Sequence, residues 1–135
     1  MTSERSAGEI YGRYFQEGAV VFEEGDPGSR MYVIQSGAVQ IVKRVGSRPI
    51  TLAHLGPGEA FGEMALLEGR SRSATAIVET AGRILELDEA AFADLVANER
   101  EVALRLLRRL SARLREANRQ IRTFLSADAM GRAVE

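Results

Sequence analysis

The chain contains no cysteine and no tryptophan, and only one histidine and three prolines in 135 residues. Without cysteine there are no disulfides, no thiolate nucleophile and no thiolate-held iron–sulfur cluster. His54 alone cannot build a zinc site, a cupin-type metal centre, a haem sensor or a His-paired catalytic triad. Within the apolar segment 50–55 it reads as a structural or surface residue. No apolar run is long enough to cross a bilayer, and residues 1–5 carry no apolar signal core. A cytoplasmic location with no membrane contact is therefore expected. The net charge is −1, so no overall field draws the chain to nucleic acid. No catalytic constellation and no metal site is expected, and enzyme activity is not anticipated.

What is present is a domain-sized chain with 45% hydrophobic and 27% charged residues, enough for one core with a helical appendage. Glycines punctuate short β-branched runs, the rhythm of an all-β sandwich or barrel. Strands are expected at 19–23, 31–35, 38–45, 49–55, 74–79 and 83–87. Asp26-Pro27-Gly28 and Ser36-Gly37 read as turns, since proline presets φ and glycine accepts positive φ. After Leu87 the period changes. Asp88 is a candidate N-cap for a helix over 89–97, and Asn98 is placed to end that helix or cap the next.

From there Ala103, Leu107, Leu110, Leu114, Ala117, Ile121 and Phe124 recur in alternating steps of four and three, a heptad seam flanked by arginines. A helix of about 25 residues spans about 37 Å, more than a small β domain covers. A second copy of the chain is the simplest partner for its far end. The seam breaks at Ser126-Ala127-Asp128, and a new helical pattern begins at Ala129. That restart suggests the opening of a further segment.

The stretch 61–75, Phe-Gly-Glu-Met-Ala-Leu-Leu-Glu-Gly-Arg-Ser-Arg-Ser-Ala-Thr, concentrates the candidate chemistry. Gly62 and Glu63 open a short apolar helical turn, whose first N–H groups favour an anion. Arginine adds a permanent charge with two-pronged donors. Glu63 can accept from a hydroxyl pair, as acidic residues do for ribose. Together they suit a ligand carrying both a phosphate and a sugar hydroxyl.

Three ordered marks carry a resemblance: residues 22–28 with 31–37, residues 55–66, and Arg72-Ser73-Ala74-Thr75. With these, the chain resembles the cyclic-nucleotide-binding domain, specifically the sensor half of catabolite-activator-type transcriptional regulators. The resemblance implies a mainly β fold with helices, a double-stranded β-helix or jelly-roll-like β-roll, followed by a long C-terminal dimerisation helix. It divides the chain into a β-roll with flanking helices (1–98), a dimer helix (99–125) and a hinge into a DNA-binding domain (126–135). It implies cAMP or cGMP as effector, without a metal. Glu63 would hold the ribose 2′-hydroxyl, with Gly62, Met64 and Ala65 facing the ribose–phosphate. Arg72 would pair with the cyclic phosphate and Ser73 would add a hydroxyl. Asn118 would meet the base, and Leu52 completes the candidate ligand-binding set. Ala117 has no hydroxyl, which leaves the identity of the base open. The implied partners are a cyclic purine nucleotide, a second copy of the chain, and DNA only through a longer parent protein. The same fold could instead serve a kinase, a channel or a stand-alone protein, or take a different effector.

Overall fold

The computed structural model describes residues 10–134, with the side chains of Met64, Leu67 and residues 127–134 outside that description. The strands are β1 (Gly12–Phe15), β2 (Val20–Phe22), β3 (Met31–Ile34), β4 (Ala38–Val45), β5 (Arg48–Leu55), β6 (Ala60–Phe61), β7 (Thr75–Thr80) and β8 (Gly82–Leu87). The helices are α1 (Glu63–Glu68), α2 (Glu89–Asn98) and α3 (Arg100–Val134). Two four-stranded antiparallel sheets result, ordered β1-β8-β3-β6 and β2-β7-β4-β5. This is the expected β-roll followed by a long helix.

The layering follows from the period of two along each strand. On β3, Tyr32 and Ile34 enter the cluster between the sheets with Phe15, Val39, Phe61 and Ile84. Met31 and Val33 point the other way, joining Leu85, Leu87, Leu95 and Leu106 under the helices. All four β3 residues are consequently buried. The first sheet is thus a middle layer, with the second sheet on one face and α2 and α3 on the other.

Six of the strands lie where the glycine punctuation puts them, with ends shifted by a residue or so. β1 and β6 were not anticipated. β6 has two residues, too few for any period, and Tyr14 on β1 is exposed. Asp88 caps α2 as expected, its carboxylate accepting from the Ala91 amide at 2.8 Å. Asn98 ends α2, the first of its two expected roles, and its amide donates to Asp94.

α3 departs from the sequence pattern in two respects. Its anchor to the β-roll is Leu106, which the heptad seam omits and which is 4% exposed. Val102 and Leu110 flank that anchor. Burying such a leucine contributes roughly 1.5–3 kcal/mol. The seam residues Leu107, Leu114, Ile121 and Phe124 are exposed, so the helix is not consumed by its own β-roll. The helix also runs on through Ser126-Ala127-Asp128, where the sequence pattern breaks. Backbone hydrogen bonding continues there because none of the three residues is a helix terminator. No helix among the described residues is long and apolar enough to cross a membrane.

Candidate ligand-binding site

β6 delivers the chain to Gly62, which precedes α1 in the left-handed region at φ 76°. Glycine is needed twice over there. Its φ strains other residues, and a Cβ would come within 2.7 Å of Arg72 Nη1. No side chain caps the first turn of α1, so its leading N–H groups are available to a ligand.

Arg72 lies on the strip between α1 and β7. The turn at 23–26 clasps its backbone: Gly25 N donates to the Arg72 carbonyl and Arg72 N donates to the Asp26 carbonyl, both at 2.8 Å. The residue is 7% exposed. Nη1 donates to the Gly62 carbonyl at 3.0 Å and Nη2 to the Arg30 carbonyl at 2.8 Å. The guanidinium carbon lies 4.0 Å from the centre of the Phe22 ring. Gly28 makes room, since a Cβ there would sit 2.3 Å from Arg72 Nε. Nε itself is buried without a hydrogen-bond partner. No carboxylate pairs with this guanidinium among the described residues. Burial consequently pulls its pKa down from the ordinary arginine value. A buried cation with no carboxylate in ion-pair contact, and only Asp26 acting on it from farther off, is costly unless an anion arrives.

Glu63 stands in the first turn of α1. Its Oε1 accepts from Arg113 Nη1 of α3 at 3.4 Å, and Arg113 Nη2 donates to the Ala60 carbonyl. Glu63 and Arg72 therefore keep separate partners. Both border a cavity of about 530 Å³, also lined by Gly62, Ala65, Ser73 and Arg113. Its apolar wall comes from Phe22, Ile41, Ala53, Leu55 and Phe61. That size and mixture suit a small ligand with one charged end.

Gly62, Glu63, Ala65, Arg72 and Ser73 are thus brought together as expected. The side chain of Met64 lies outside the described residues. Leu52 is not on the cavity: the β4–β5 register pairs Ile41 with Ala53 and Val42 with Thr51, so Leu52 is the extra residue of a bulge. It is 56% exposed, and Ala53 and Leu55 form the wall instead. Asn118 is exposed on α3 and does not line the cavity. Arg70 also borders the cavity but is exposed and pairs with Glu68 at 3.0 Å. His54 is an exposed residue bonded to Glu79, the structural reading of it. No cluster of three or more metal-ligating side chains exists among the described residues.

Sequence reasoning missed Arg113 and the spatial role of Gly28. Arg113 was one arginine among many beside the seam, and its contact with Glu63 crosses 50 residues, which no local pattern reports. Gly28 had a turn signal that concealed its place beneath Arg72.

Residues 12–99 match the cyclic nucleotide-binding domain family. Over 122 residues the chain is 34% identical to the CRP-like cAMP-activated global transcriptional regulator of Mycobacterium tuberculosis, covering 90% of this chain and 54% of that protein. It is 36% identical over 121 residues to the cyclic AMP receptor protein of Thermus thermophilus, covering 89% and 56%. The crystal structure of Thermus thermophilus catabolite activator protein superposes with a TM-score of 0.70 at 35% identity, covering 87% of this chain and 56% of that one. The chain spans about half the length of these curated relatives.

Proposed function

Because the chain belongs to the cyclic nucleotide-binding domain family, we propose that its cavity receives a 3′,5′-cyclic purine nucleotide and acts as a sensor without catalysis. The observation that carries this reading is Arg72: a buried guanidinium with an unpartnered Nε and no carboxylate in ion-pair contact among the described residues. A cyclic phosphate supplies the missing charge and acceptors. Ser73 and the open N–H groups of α1 border the same position. Glu63, in the adjoining first turn, accepts the ribose 2′-hydroxyl. The base then lies along Ile41, Ala53 and Leu55.

Arg113 gives the site its output. It holds Glu63 from α3, so a hydroxyl arriving at Glu63 acts directly on a contact between cavity and helix. In a longer regulator, two α3 helices would pair through their exposed seam and transmit that change to DNA-binding domains. A ligand shifts such an equilibrium only through unequal affinity for its two states.

Titration calorimetry with cAMP, cGMP and their 2′-deoxy forms tests the reading. At least one cyclic nucleotide should bind at micromolar strength or better, about −8 kcal/mol. The 2′-deoxy form should bind about tenfold more weakly, through loss of one hydrogen bond to a charged group. No binding by either nucleotide would reject the proposal.

A further inference from the structure

The strip carrying Arg72 and Ser73 has no regular secondary structure of its own, so something else must hold it. On one side the 23–26 turn clasps the Arg72 backbone through the two bonds described above. On the other stands Lys43 of β4. Its Nζ donates to the Ser73 carbonyl at 2.8 Å and to the Glu24 carboxylate at 3.4 Å. The other oxygen of Glu24 accepts from the Arg44 amide at 3.0 Å, and the Glu24 amide donates to Thr75 Oγ1 at 2.9 Å. Lys43 and the 23–26 turn thus bind one strip from two separate elements.

An ion pair this exposed, with Lys43 at 42% and Glu24 at 33%, contributes little to stability. Its geometric effect is larger. A lysine ammonium has three donors on a long stem, and here two of them join a carboxylate to a backbone carbonyl. The Arg44 amide, above all, holds the Glu24 carboxyl below its ordinary pKa; burial works against it and Lys43 adds to the lowering, so the carboxylate end of the brace is charged at neutral pH. Fixing the Ser73 carbonyl fixes the Ser73–Ala74 peptide plane, while Gly25 N fixes the Arg72–Ser73 plane through the Arg72 carbonyl, so Ser73 is held on both sides where it stands on the cavity rim.

We propose that Lys43 is a positioning residue for anion recognition, bracing the Ser73 peptide against Glu24 so that Arg72 and Ser73 meet the ligand's phosphate together. The brace stands on the hydrogen bonds alone; what it positions against rests on the proposed function.

The test compares the whole chain with Lys43→Met, which keeps the stem length and removes the donors, and with Lys43→Arg, which keeps the charge and donors. Amide hydrogen exchange is measured without ligand, and binding of cAMP and of adenosine is measured by competition. In Lys43→Met, the Gly25 and Arg72 amides should exchange about tenfold faster while β3 and β8 are unchanged. Affinity for cAMP should fall about tenfold, with adenosine unaffected and Lys43→Arg close to the parent. Unchanged exchange overturns the brace. Faster exchange with unchanged cAMP affinity, or an equal loss for adenosine, overturns its role in anion recognition. If the parent chain binds no cAMP, the nucleotide reading falls, while accelerated exchange at Gly25 and Arg72 still supports the brace.

Discussion

Replacing Arg72 with methionine separates a binding residue from a structural one. The ligand-free chain loses two charge-assisted hydrogen bonds, to the Gly62 and Arg30 carbonyls. Each contributes roughly 1.5–3 kcal/mol. It also sheds a buried cation with no carboxylate partner, whose desolvation costs several kcal/mol. Methionine still reaches toward the Phe22 ring that the guanidinium covers, where sulfur packs well. These effects oppose one another, so unfolding free energy should change by no more than about 1.5 kcal/mol in either direction. Nucleotide binding has no such compensation. Removing the charge that faces the phosphate should weaken affinity by about 100-fold, within the roughly 2–5 kcal/mol typical of a broken buried charge contact. At ligand concentrations 100 times the parent Kd, the parent gains about 2.7 kcal/mol of stability and the variant about 0.4 kcal/mol. Chemical denaturation with and without cAMP or cGMP reads both numbers. A ligand-free loss above about 3 kcal/mol would make Arg72 a structural residue, and an undiminished ligand shift would remove it from the site.

Three further outcomes follow from particular contacts. Gly28→Ala places a methyl 2.3 Å from Arg72 Nε, so the guanidinium must swing away; calorimetry should show nucleotide affinity falling severalfold while the denaturation midpoint moves little. Burial, and then Glu86, raise the Tyr32 pKa, so the folded state favours the neutral phenol. Its stabilisation is complete below about pH 10, the ordinary tyrosine value, and is lost as pH rises through the higher folded value. Urea midpoints between pH 8 and 11 should fall less in Tyr32→Phe than in the parent. Leu114 and Ile121 are 64% and 57% exposed. Changing both to glutamate should shift sedimentation toward monomer without destabilising the β-roll, and an unaltered dimer would place the interface elsewhere.

Where the fold was legible, the sequence carried a period or a punctuation mark. β4 could be read because Gly37 and Gly46 bound it, and α2 because Asp88 announces its start. β6 is set by its pairing with β3, Tyr32 to Phe61 and Val33 to Ala60, a tertiary constraint with no local signature. The cavity was legible in its contiguous part, 62–73, where neighbours in sequence are neighbours in space. It failed where distance intervenes. Leu52 lies off the cavity because pairing with β4 turns Ala53 and Leu55 inward, and alternation along the strand then turns Leu52 outward. The heptad seam marked the free face of α3 from Leu114 onward, but of the face that docks it included only Leu110. The rest of that face is set by Leu106 and Arg113, which lie off the seam.

The position of Arg113 bears on how a small ligand could move a long helix. The N-terminal part of α3 is fixed to the β-roll by Leu106 and its neighbours. Arg109 and Arg113 then reach Glu59 and Glu63 on the cavity rim, at 3.8 Å and 3.4 Å. From Leu114 to Ser126 every residue is exposed. Arg113 therefore stands at the boundary between the docked part of the helix and its free part. The remaining residues to Val134 extend about 30 Å beyond it. A change of a few degrees at that boundary displaces the far end by a few ångströms. The contact that would be altered is also weak: a part-exposed pair at 3.4 Å, which a ribose hydroxyl at Glu63 can displace or share. A stronger buried pair would resist the ligand, and a fully solvated one would not report it. On the proposed function, cavity and helix are joined at the point where modest binding energy has the greatest reach.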